Sequence, residues 1–184
     1  MNNTILAATF IVPFIGLQAG GQVDVRNLRT PVDSAPSLGV FVEFDQGHGR
    51  MLDFEISGQQ TQAVRNDPYV DPASADVDVI YGQFGGRVII HPELRTSSYL
   101  GMTLGLTYIS ANSEHAVQPS GAFAGGFIIK MTPRTSLVLD ARYRVTVFVN
   151  SGAIACDSSG ICAGSTSGSI FPQLTLSTGV AFRF

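Results

Sequence analysis

No stretch of about 18 consecutive apolar residues, the length a membrane-crossing helix needs, occurs in this chain. Yet apolar residues make up 45% of it and its mean hydropathy is +0.23. The longest apolar runs are Ile5–Phe10, broken by Thr9, and Phe10–Ile15, which carries Pro13. Apolar residues are instead dispersed singly, and that dispersal predicts strands with one lipid-facing and one polar face. Charged residues are 14% of the 184, well under the roughly 25% of a soluble domain. Lys130 is the one lysine. The length suits a single domain.

Glycine and proline are spread throughout, and no segment holds a capped 3.6-residue period. Period-two alternation predicts eight strands instead: Phe10–Val25, Leu38–Gln46, Met51–Ala63, Val77–Ile90, Tyr99–Ser110, Gly121–Met131, Ser136–Asn150 and Phe171–Phe184. In the second, Leu38, Val40, Val42 and Phe44 share a face opposite Phe41, Glu43 and Asp45. In the third, Leu52, Phe54 and Ile56 oppose Asp53, Glu55, Ser57 and Gln59. In the seventh, Leu137, Leu139, Ala141, Tyr143, Val145 and Val147 oppose Asp140, Arg142, Arg144 and Thr146. The fourth is mixed. Polar loops are expected at Arg26–Ser37, Val64–Asp76, Ala111–Ser120 and Ser151–Ile170, and shorter turns elsewhere. Longer connections after the odd strands and shorter ones after the even strands are what a transmembrane barrel predicts, with both termini on the turn side.

The expected fold class is therefore all-β: a closed, eight-stranded, antiparallel up-and-down transmembrane barrel over residues 10–184, with residues 1–9 a remnant or disordered start. Open sheet edges are forbidden in lipid, so the sheet must close. The polar faces of the fifth and eighth strands are mostly Gly, Thr and Ser, which suits a narrow lumen. Charges pointing inward need partners. An acid–arginine network of Glu43, Asp45, Asp53, Glu55, Asp140, Arg142, Arg144 and Arg183 is expected to plug that lumen. An ion path or a catalytic carboxylate pair is the alternative reading of the same cluster.

A net charge of −3 and a pI near 5.5 argue against a nucleic-acid partner. Five residues separate Cys156 from Cys162 in a Gly/Ser-rich segment. A local disulfide and an oxidising compartment are expected; two free loop thiols are the alternative. With no histidine nearby and no second cysteine pair, no metal site is expected there, and no cofactor motif appears. The first ten residues carry no Lys or Arg and no ordinary cleavage site. A secretion signal is therefore expected to be missing from this chain, the alternative being an intracellular protein that starts at Met1.

The closing segment Leu174–Phe184, with Leu174, Leu176, Val180, Phe182 and Phe184 on one face and Arg183 on the other, resembles the C-terminal assembly signal of bacterial outer-membrane barrels. Pro13–Gly21, Asp78–Gly86, Tyr99–Gly105 and the Cys156/Cys162 segment resemble the same family, small eight-stranded outer-membrane barrels of the OmpA and OmpW architecture within the porin-like group. The resemblance covers nearly all of residues 10–184. It implies a Gram-negative outer membrane, contact with its lipid and lipopolysaccharide, assembly by the barrel assembly machinery and a monomeric state. It carries no catalytic motif. A non-enzymatic role in the envelope or at the surface, through the extracellular loops, is the expectation. A narrow pore for ions or small apolar solutes is the alternative. A lipid A-modifying enzyme or protease would need a histidine and a carboxylate near the outer rim. Only His115, beside Glu114, is placed there; His48 and His91 fall in turns.

Overall fold

The structure, a computed structural model, describes residues 9–19, 22–25, 28–65, 73–111, 114–148, 155–156, 162–163 and 170–184. Eight strands form one closed antiparallel barrel. They are β1 (Thr9–Ala19), β2 (Ala35–Gly47), β3 (Arg50–Arg65), β4 (Ala73–Ile90), β5 (Thr96–Ala111), β6 (Glu114–Lys130), β7 (Thr135–Val147) and β8 (Ile170–Arg183). Each pairs with its sequence neighbours, and β1 closes the ring on β8 through pairs such as Ile11↔Phe182 and Leu17↔Leu176. Two short ladders lie outside the barrel, Gln22–Val25 on Leu28–Pro31 and Ala155–Cys156 on Cys162–Ala163.

The alternation read from the sequence places the faces. Leu38, Ile56, Leu100, Leu104 and Phe123 point outward and are each about two-thirds exposed. So much uncovered apolar surface suits lipid, not water. Aromatic rings continue the band across strands, with Phe54 meeting Phe44 at 5.9 Å and Phe84 at 4.9 Å.

Several boundaries differ from expectation. The predicted first strand ends at Ala19, and the residues after it contribute to the first short ladder. The expected polar loop Ala111–Ser120 is largely strand, since β6 begins at Glu114. The connection after β5 is thus residues 112–113, shorter than the His91–Arg95 turn after β4, so loop lengths do not alternate there. The reason is physical. Above the lipid band an outward side chain need not be apolar, so the ladder continues while its period-two signal fades. Pro119 sits in this stretch without cost to the β7 ladder, because that pairing stops at Ser120↔Thr146.

The wall is uneven. Strands β3 to β6 run 16 to 18 residues, whereas β7, β8, β1 and β2 run 11 to 14. A tilted membrane strand needs about 9–11. The excess on β3 and β4 carries the exposed residues Gln60, Gln62, Asp76 and Asp78, with Gln62 Nε2 donating to Asp76 Oδ1 at 3.0 Å.

At the turn rim the backbone is stitched from turn to turn. Ile89 N–H donates to Gly49 O at 2.7 Å, Lys130 N–H to Arg95 O at 2.9 Å, Arg183 N–H to Arg134 O at 2.9 Å and Phe184 N–H to Thr9 O at 3.0 Å. The first of these turns is tight: Gly47, His48 and Gly49 all have positive φ, at 79°, 55° and 73°.

Candidate functional site

The lumen is where the inward faces meet, and its side chains fall into layers. Toward the turn rim, Val12, Phe14, Phe41, Tyr99, Ala124, Val138 and Ala181 pack as one apolar cluster. Phe14 stacks on Phe41 with centroids 4.5 Å apart. Gly39 makes room for this, since a Cβ there would lie 2.6 Å from Ser57 Cβ and collide with the Phe14 ring. Toward the loop rim, Val77, Val79, Tyr81, Ile109, Phe148 and Phe171 form a second apolar cluster, with Val32 against it. Val32 and Phe148 come from the segments leading into β2 and out of β7, so chain outside the wall turns in over the mouth.

The charges are interleaved with the turn-rim cluster through Phe41 and Tyr99, and Glu43 reaches the cup at the turn-rim mouth. Glu55 is the hub. Its two oxygens accept from Arg142 Nη1 and Arg144 Nη2, and Ser57 Oγ donates to it at 2.6 Å. All three charged side chains are at most 2% exposed. Arg144 also donates to Thr175 Oγ1 at 2.7 Å. Arg142 Nε reaches Asp140 Oδ1 at 3.3 Å, and Tyr99 OH donates to the other Asp140 oxygen. A second group centres on Arg87. Its Nε donates to Asp53 Oδ2 at 2.8 Å. Its Nη2 lies 3.0 Å from Glu43 Oε1, an ion-pair distance at an angle too poor for a hydrogen bond, so neither atom has a hydrogen-bond partner.

Aromatic rings separate the guanidiniums. Phe41 lies between Arg142, 4.6 Å from its centroid, and Arg87, at 5.5 Å. Arg87 also covers Tyr99 at 4.6 Å, and Arg144 covers Tyr81 at 4.6 Å. Each cation thus has a ring face as well as a carboxylate; Phe41 is shared by Arg87 and Arg142, whereas Arg142 and Arg144 share Glu55. Above the charges, Gln18 Nε2 donates to Tyr81 OH at 3.0 Å, and Tyr81 OH donates to Gln173.

Of the residues predicted to plug the lumen, Glu43, Asp53, Glu55, Asp140, Arg142 and Arg144 come together. Asp45 and Arg183 do not. Asp45 accepts from Gly47 N–H at 2.7 Å in the turn. Arg183 lies on the inward side of β8 but is exposed at the rim, over the Phe10 ring at 5.7 Å. Both line a cup of about 440 Å³ at the turn-rim mouth. Inward parity alone does not bury a residue when its position falls at a strand end.

Arg87 was missed by sequence reasoning. On β4 the inward face also carries Val77, Val79, Tyr81 and Ile89, so apolar residues occupy both faces and hide its parity. The signal that would have found it is the surplus of acids on β2 and β3, which calls for a cation on the adjoining strand. His115 faces outward, its ring 6.2 Å from that of Tyr108. His91 pairs with Glu93 at 3.3 Å in an exposed turn, and His48 is exposed. Among the described residues, no group of three or more His, Cys, Asp or Glu has the geometry to hold a metal ion. The side chains of Glu114, Cys156 and Cys162 lie outside the described features, although the backbone places Cys156 opposite Cys162.

The overall geometry has known counterparts. The structure is similar to Neisserial surface protein A, with TM-score 0.67 and 13% identity over 95% of this chain and 97% of that one. It is similar to the outer membrane protein OprG from Pseudomonas aeruginosa, with TM-score 0.66 and 11% identity over 97% and 96%. This is the fold of small outer-membrane barrels. The outer membrane protein AlkL, solved in DMPC lipid bilayers, matches at TM-score 0.60 and 13% identity over 100% of this chain and 93% of that one. At such identities the likeness is one of fold. No protein-family model matches the chain, and no curated protein matches it. As an outer-membrane-type barrel it differs from a soluble one in which face is buried by what: lipid covers the apolar side, and paired charges fill the other.

Proposed function

We propose that the chain is a non-enzymatic, integral barrel of the bacterial outer membrane, with an envelope-structural or surface-interaction role carried by the segments at its loop rim. The observation that carries this reading is the filling of the lumen. Glu55, clamped by two arginines, sits between two apolar layers, which leaves the barrel a wall and not a conduit. The apolar exterior and the likeness in fold to outer-membrane proteins support the location. Loops on a rigid scaffold are where recognition residues concentrate.

The test is planar-bilayer conductance of the refolded chain. No resolved steps are expected from the native sequence, and steps are expected from Glu55→Ala combined with Arg144→Ala. Steady conductance by the native chain would favour the pore reading instead.

Two further roles belong to this reading. Cys156 and Cys162 are direct cross-strand partners, and Cα atoms so paired lie about 4.5–5.5 Å apart, within disulfide reach. A cross-link there would pin a short surface hairpin. Lower gel mobility after reduction and alkylation supports it; free-thiol titration of both residues in the unreduced protein opposes it. Leu174, Leu176, Phe182 and Phe184 face outward on β8, where assembly machinery would read them. Deleting Phe184 is expected to lower the yield of folded barrel in cells while leaving refolding in detergent intact.

A further inference from the structure

At the turn rim cations outnumber acids, which there are Asp45 and Glu93 among the described turn residues. The turn rim holds Arg50, Arg95, Lys130, Arg134 and Arg183, all exposed. Every link at that rim has at least one in it or at its edge: Arg50 at the start of β3, Arg95 between β4 and β5, Lys130 at the end of β6 with Arg134 in the turn after it, and Arg183 where β8 meets β1. Among the described residues none of these five pairs with a carboxylate, and Lys130 Nζ donates to Pro92 O. Toward the opposite boundary the exposed polar residues of β3 and β4, among the described side chains, are Gln60, Gln62, Asp76 and Asp78.

Three of the basic residues have exposed apolar neighbours, Leu94 beside Arg95, Met131 beside Lys130, and Phe182 and Phe184 around Arg183, while Lys130, Arg134 and Arg183 also edge the cup at the lumen mouth. That mixture is interfacial chemistry, in which apolar side chains enter the acyl boundary while cations reach the headgroups. Backbone hydrogen bonds tie the residues that carry these cations to one another: Lys130 N–H to Arg95 O and Arg183 N–H to Arg134 O. A soluble acidic partner would not call for apolar side chains beside the cations; a lipid surface does.

We propose that this collar binds the headgroups of anionic phospholipids in the leaflet at the turn rim. The inference rests on the reading that the barrel spans a bilayer, and the test separates the two. The full chain is refolded in mixed phosphatidylcholine and phosphatidylglycerol vesicles. Heat-dependent gel mobility then reports folding, and native mass spectrometry reports retained lipid. A folded barrel that retains phosphatidylglycerol over phosphatidylcholine by at least tenfold at low salt, less at high salt, is expected. Arg50→Gln, Arg95→Gln, Arg134→Gln and Arg183→Gln together are expected to abolish the preference, with roughly a fivefold loss for each charge removed. Should the fourfold variant fail to fold, the single Arg95→Gln and Arg134→Gln variants carry the test, each with that fivefold loss. Gln60→Ala with Gln62→Ala is expected to leave the preference unchanged. Equal retention of both lipids by the folded native chain, or a preference that survives the arginine substitutions, overturns the proposal. So does binding of soluble peptidoglycan fragments without phosphatidylglycerol, which would assign the collar to the cell wall. Absence of any heat-shifted species would overturn the spanning reading itself.

Discussion

Residues 139 to 147 of β7 alternate between two environments. Leu139, Tyr143 and Val147 stand 40–48% exposed on the outside, where any side chain of low polarity satisfies lipid. Asp140, Arg142 and Arg144 point inward, each to a partner on another strand or to its own neighbour. The outer face is specified by a class of residue, and the inner face by identity and position. A charge is tolerated inside because its counter-charge and hydrogen bonds are already in place. The same charge outside would meet hydrocarbon with nothing to pair.

Four substitutions break or sharpen this contrast, each followed by urea unfolding in lipid vesicles. The largest effect is expected from Glu55→Ala, which leaves two guanidiniums buried without their carboxylate; breaking a buried pair costs about 3–5 kcal/mol. A cost below about 1 kcal/mol would mean that the lumen relaxes around unpaired charge. Next is Leu104→Arg on the lipid face of β5, expected to cost about 2–4 kcal/mol near the bilayer midplane. A neutral result there would dissolve the distinction between faces. Tyr99→Phe removes the donor to one Asp140 oxygen, and a loss of about 1–3 kcal/mol is expected from the orphaned acceptor. The smallest is Leu106→Ile, an aliphatic exchange on the lipid face, expected to stay within about 0.5 kcal/mol. If it rivals Tyr99→Phe, the outer face is specified more closely than by polarity alone.

The same contrast explains what was legible in the sequence. Where the outer face touches lipid, apolar residues recur at every second position, and β2, β3, β7 and β8 could be read with their faces. Six of the plug residues followed from parity on those strands. Strand β4 resisted because its inward Val77, Val79 and Ile89 belong to the apolar layers of the lumen, so both faces read as hydrophobic and Arg87 lost its label. The start of β6 resisted for the opposite reason: Glu114, His115 and Gln118 lie where neither face need be apolar. Asp45 and Arg183 had the correct parity but the wrong height, because period two fixes the side of the wall and not the distance along the barrel axis. Which acid meets which arginine depends on register across several strands, and local pattern carries none of that.

The unequal strand lengths have a consequence for access. With β3 to β6 running past their neighbours, the wall of described strands is taller on one side than on the other. The taller side carries the exposed polar residues Gln60, Gln62, Asp76 and Asp78. Any macromolecule gliding over the bilayer toward this side meets a hydrogen-bonding, acidic wall before it reaches the mouth. The barrel therefore has a front and a back in the plane of the membrane, although its strands form an unbroken ring.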